Sequence, residues 1–131
     1  MIGVDTNVLV RYLTQDDPVQ AAQATTLIEH RLNDDEPGFI SVVAMAETVW
    51  VLRRFYRFGS EQIVGAIERM LGAATLVVEN EREVFTAMIA LKEGRGEFGD
   101  ALIGALSARA GCSRVLTFDR QALRLPGFEL P

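Results

Sequence analysis

The chain has a single cysteine, Cys112, so an internal disulfide is excluded, as suits a reducing compartment. Cys112 lies in AGCSRVL, ahead of an expected strand, and reads as a small buried filler. The only histidine, His30, sits beside Arg31 on a helix-like stretch and is expected on the surface. There is therefore no Cys/His set for zinc and no histidine to act as a general base. Lysine is nearly missing too: twelve of the 13 basic residues are arginine, leaving only Lys92. No apolar run approaches the ~20 residues that span a bilayer. Repeats, low-complexity stretches and obvious linkers are absent. The first expected strand begins at Ile2, so no leader is expected, and a soluble cytoplasmic protein without membrane attachment is the reading.

What is present suits one folded domain over residues 1–131. The chain is 49% hydrophobic, and a domain of this length buries roughly two-thirds of the surface its unfolded chain exposes. The net charge of -5 argues, taken alone, against a nucleic-acid partner. The charge counts for less if several of the acids are metal ligands, because bound divalent cations reverse the local field. The arginine bias suits bidentate phosphate contact, and equally a compositional preference.

Strand-like runs occur at Ile2–Asp5, Gly38–Ser41, Thr75–Val78 and Arg114–Thr117, with a weaker one near Phe128–Leu130. Helix-like stretches alternate with them. Asp17 before Pro18 starts one that runs to about Leu32. Ser41 caps a second, from Val42 to about Tyr56, and Ser60 a third to about Leu71. Asn80 with Glu83 resembles a capping box for a fourth, to about Glu93. A fifth runs from near Phe98 to Gly111. Short apolar strands alternating with helices predict an α/β fold, a mostly parallel sheet covered on both faces.

Four acids, Asp5, Glu47, Asp100 and Asp119, stand in apolar or small-residue settings: IGVDTN, SVVAMAE, FGDALIGA and RVLTFD. Each falls at or just beyond the end of an expected strand, or in the helix after it. In a parallel α/β sheet those places share the crevice outside the strands' carboxyl ends. Two carboxylates ~4 Å apart repel by about 4 kcal/mol at an effective dielectric near 20, so convergence calls for a counter-charge. An all-oxygen set suits Mg²⁺ or Mn²⁺. The matching chemistry is phosphodiester hydrolysis.

The segments DTNVLVRYLT, VVAMAE, FGDALIGALSARAGC and LTFD together resemble the PIN domain, in particular VapC-type toxins of bacterial and archaeal toxin–antitoxin pairs. The resemblance runs over essentially the whole chain. It implies a three-layer α/β/α sandwich with a central sheet, a Mg²⁺- or Mn²⁺-dependent ribonuclease, a VapB-like antitoxin that occludes the site, and a homodimer. The family's metal acids map onto Asp5, Glu47, Asp100 and Asp119. Asn7 matches the Asn that orders the first acid and its loop, and Thr117 the hydroxyl residue before the last acid. Many relatives carry a further Asp three residues before the third acid; here Glu97 stands there.

Other features have rival readings. Asp5 can simply cap a helix, Asp119 can belong to an ordinary turn, and Asp16 and Asp17 read as helix-start residues. Arg11, one helical turn beyond Asn7, is either a surface arginine or one that reaches a phosphate or a site acid. Trp50, Arg54, Phe55 and Phe58 belong to an aromatic and arginine-rich run read chiefly as a partner surface. Aspartyl-phosphate proteins also place acids at strand ends. They use a lysine beyond a later strand, which this chain lacks. The alternative to a nuclease is a catalytically silent PIN-type binding module. For a nuclease, the expected substrate is RNA with single-stranded or loop segments.

Overall fold

Every registered strand pair in the computed structural model, which describes residues 1–131, is parallel. Parallel neighbours cannot be joined by a tight hairpin, so their connections carry helices. The chain forms two compact units, Met1–Glu79 and Asn80–Pro131.

In the first unit β1 (Ile2–Gly3), β2 (Gly38–Ile40) and β3 (Leu76–Val78) form a sheet in sequence order. Ile2 pairs with Gly38, and Gly38 with Leu76. Helices α1 (Thr6–Thr14) and α2 (Pro18–Thr26) connect β1 to β2, and α3 (Val42–Phe55) and α4 (Ser60–Gly72) connect β2 to β3. Leu9, Ile28, Ile40, Met45, Leu52, Ile63 and Ile67 are fully buried. Gly38 has no room for a side chain: a Cβ there would lie 2.7 Å from a Leu32 methyl and 2.9 Å from one of Leu76.

Local chemistry fixes the helix starts, in places differently from the sequence reading. The first strand ends before Asp5, whose side chain accepts the Thr6 N–H and caps α1. Asp17 accepts from Val19 and Gln20 and caps α2, with Pro18 in the first turn, as predicted. The end of that helix, expected to be regular, loosens into a π-helical turn over Leu27–Arg31. Ser41 caps α3 through the Ala44 N–H. Ser60 does not cap α4. Gly59 holds that position, its N–H donating to Gln62, while the Ser60 hydroxyl accepts from Arg53.

In the second unit α5 (Glu81–Lys92) packs on α6 (Phe98–Arg109), and β4 (Val115–Leu116) pairs with β5 (Phe128–Glu129). Phe98, Val84 and Ala87 are buried almost completely. The predicted capping box of α5 does not form. Asn80 adopts the left-handed region (φ 52°) and its amide donates to Glu83 instead. Glu83 is buried and pairs with Arg109 of α6 at 3.5 Å. Cys112, expected to be a buried filler, is exposed, because it lies in the turn that leaves α6 before β4. No helix is long and apolar enough to cross a membrane.

Candidate functional site

In the first unit the carboxyl ends of β1 and β2 lie side by side, so the segments after these two strands share one edge. Asp5 comes directly after β1. Glu47 lies on α3, the helix that leaves β2. Both line a groove of about 340 Å³ with Asn7, Arg11, Phe55 and Tyr56. The apolar settings in the sequence predicted hidden carboxylates. Asp5 and Glu47 are instead exposed, since the apolar neighbours turn inward and the acids point into the groove. Neither is in a salt bridge. Only Oδ1 of Asp5 is used by the Thr6 cap, at 2.8 Å, which leaves its second oxygen to the groove. Capping and ligation, rivals in the sequence, are compatible in the structure.

Arg11 is the cation of this groove, and its counter-ion is Asp16, not a site acid. Nη1 donates to both Asp16 oxygens at 3.2 Å and to the Tyr56 hydroxyl at 3.1 Å, and Nε donates to Gln20 at 2.8 Å. The Tyr56 hydroxyl in turn donates to Asp16 at 2.6 Å, as does Thr14 at 2.8 Å. The Tyr56 and Thr14 hydroxyls hold the Asp16 carboxyl below the usual carboxylate range. That same hydrogen bond, with burial second, raises the Tyr56 phenol. Sequence reasoning missed this network. The available signal was the doubled acid before Pro18, where one Asp suffices for the cap.

The second unit gathers three further acids. Asp100 lies in the first turn of α6, half-buried, three residues after Glu97 at the helix start. Burial raises its pKa, and the negative charges of Asp119 and then Glu97 raise it further. These three carboxylates therefore share one field, and the longer Glu97 side chain still contributes to it. Thr117 orders the last acid: its hydroxyl oxygen accepts the Asp119 N–H at 3.0 Å. Asp119 accepts the Gln121 N–H at 2.9 Å, so it sits in a turn with one oxygen engaged. Across the chain, no three Asp, Glu, His or Cys side chains form a ready-made metal group. The fit to a hard cation rests on the donor chemistry: oxygen ligands only, with Asp100 under the repulsion that a cation relieves.

Of the aromatic run, Trp50 and Phe55 are 56% and 66% exposed and meet edge to face at 5.6 Å. Arg54 is exposed beside them. Phe58 is half-buried and turns back onto Tyr56, so it contributes less to that surface. His30 is exposed, as expected.

Compared with known families, residues 2–127 match the model of the PIN domain, a match that includes both units. PIN domains are nuclease domains that generally depend on a divalent metal. No curated protein matches the chain significantly.

Proposed function

The chain belongs to the PIN-domain family, and from that premise we propose that it is a Mg²⁺- or Mn²⁺-dependent endoribonuclease, the toxin of a toxin–antitoxin pair in the cytoplasm. The observation that carries this reading is the groove in which Asp5 and Glu47 stand without a salt-bridge partner. Two carboxylates without an ion-pair partner on one groove match the oxygen-donor chemistry of a cation site. In this reading Asp5, Glu47, Asp100 and Asp119 are the metal acids, and Glu97 adds negative charge beside Asp100. When bound, the cation lowers the pKa of a water and stabilises charge on the phosphoryl oxygens. The chain's own residues do the rest. The cap keeps Asp5 in one rotamer, Thr117 fixes the backbone at Asp119, and Asn7 lines the groove beside Asp5.

Trp50, Arg54 and Phe55, with Phe58 at the edge, form the surface on which we place a VapB-like antitoxin; a homodimer accompanies it. Because Trp50 is the only tryptophan, its emission reports antitoxin binding directly. Antitoxin affinity, followed by this emission and unchanged in Arg54→Ala and Phe55→Ala, would remove this surface from the proposal.

The deciding experiment is cleavage of a cellular RNA pool by the purified chain with Mg²⁺, with Mn²⁺ and with EDTA. Discrete metal-dependent cuts are expected. Asp5→Asn keeps the capping oxygen and removes the charge, so it should lower cleavage by at least a hundredfold, about 2.7 kcal/mol of barrier, while melting within a few degrees of wild type. A folded wild type that cuts nothing in either metal would favour the silent binding module. Asp5→Asn that still cuts but melts far lower would make Asp5 a cap and no more.

A further inference from the structure

We infer that Arg11 is the phosphate-gripping side chain of the groove in the first unit, and that Asp16 and Tyr56 are positioning residues that aim it. The ligand class is the backbone phosphate of single-stranded RNA, and that identity rests on the nuclease reading above. Nε of Arg11 is committed to Gln20, and Nη1 to Asp16 and Tyr56. Nη2 makes no hydrogen bond, so a planar, permanently charged group keeps two free N–H donors, one beside Nε and one beside Nη1. Arg11 borders the groove that holds Asp5 and Glu47, and it also borders a second groove of about 280 Å³ lined by Asn7, Gln20 and Leu27.

The clamp is more than stability needs. Exposed Arg–Asp pairs contribute little to folding, and the side chains of Arg11 and Asp16 are 30% and 38% exposed. Tyr56, 45 residues from Arg11 and 40 from Asp16 in the sequence, bonds both partners. A guanidinium held by three side chains through Nε and Nη1 has already lost rotamer freedom, so it can take a phosphate without paying that loss on binding. The acids beside it work the other way, repelling an anion until a cation is bound. Arg11 is therefore the one lining group that attracts the backbone by itself.

The test uses the full chain and a fluorescein-labelled single-stranded RNA. Binding is followed by anisotropy over a NaCl series, with Ca²⁺ supplied as an oxygen-seeking cation. For Arg11→Gln the slope of log affinity against log salt should fall by about 0.7, one phosphate contact on a single strand. Tyr56→Phe and Asp16→Asn should each weaken binding by about threefold to tenfold. Tyr56→Phe should add nothing once Arg11 is Gln. Arg11→Lys should keep the salt slope, lose affinity, and stop responding to Tyr56→Phe. A merely structural role for Tyr56 would lower the melting temperature and leave these couplings at zero.

Three results would each overturn the inference: an unchanged slope in Arg11→Gln, additive losses in the double variant, or tighter binding by Asp16→Asn. The last would make Asp16 a competitor for the guanidinium, not its guide. A wild type that cleaves RNA while Arg11→Gln keeps its slope removes this inference and leaves the nuclease. An Arg11-dependent slope in a chain that cleaves nothing does the reverse.

Discussion

Thr48 neighbours a groove acid, yet its own side chain is wholly buried and its hydroxyl has no hydrogen-bond partner. Leaving a buried hydroxyl unpaired costs about 1–3 kcal/mol. Valine has nearly the same shape with a methyl in place of that oxygen. Thr48→Val should therefore stabilise the fold by about 1 kcal/mol, seen as a rise of roughly 3–5 °C in thermal unfolding. An unchanged or lower melting temperature would show that the hydroxyl finds a partner in solution. At this scale the sequence is a good guide to residue type and a poor one to exposure. Asp5, Glu47 and Asp119 are recognisable from their settings, but their apolar neighbours suggest burial, and all three are exposed. A carboxylate next to a core in sequence points away from it as soon as the helix turns. Asp16 and Tyr56 are not legible at all, because a partnership across 40 residues leaves no local pattern.

Elements are legible where one residue decides them. Asp17–Pro18 and Ser41 set their helix starts as the sequence implies. Legibility fails where two candidates compete within one residue of each other. Ser60 has the better capping side chain, but Gly59 takes the cap because Gln62 satisfies its N–H and Arg53 occupies the serine hydroxyl. Asn80 and Glu83 have the spacing of a capping box, and the burial of Glu83 diverts it to Arg109. That diversion gives α5 and α6 a testable link. Removing Arg109 alone leaves a buried carboxylate with only the Asn80 amide as partner, so Arg109→Ala should cost about 1–3 kcal/mol. Replacing both partners, as Glu83→Leu with Arg109→Ala, should recover most of the loss, because an apolar residue tolerates that position. Urea unfolding of the two singles and the double gives the coupling. A double variant that falls by the sum of the singles would mean that the ion pair does not join the helices.

For the whole molecule, the alternation of strands and helices predicts an α/β fold with parallel strands, and every registered pair is parallel. The division at Glu79 is invisible in the sequence, since no linker composition marks it. Each unit carries its own acids, and the second shows what their accumulation costs. Asp100 is harder to ionise than an ordinary aspartate because it is partly buried near Asp119 and Glu97. Its folded-state pKa is raised, so ionisation at neutral pH works against the fold, and the penalty fades as pH falls toward the unfolded value. In EDTA at pH 7, Asp100→Asn should consequently melt higher than wild type. A divalent cation changes the balance, because binding to the folded state alone stabilises it by RT ln(1 + [L]/Kd). Mn²⁺ should therefore raise the wild type steadily and Asp100→Asn much less, so the gap between the two closes or reverses as metal is added. That crossing separates a metal acid from a merely strained one. Equal metal shifts in both proteins would take Asp100 out of the ligand set, and a lower melting temperature for Asp100→Asn in EDTA would make its carboxylate a stabilising helix-start charge.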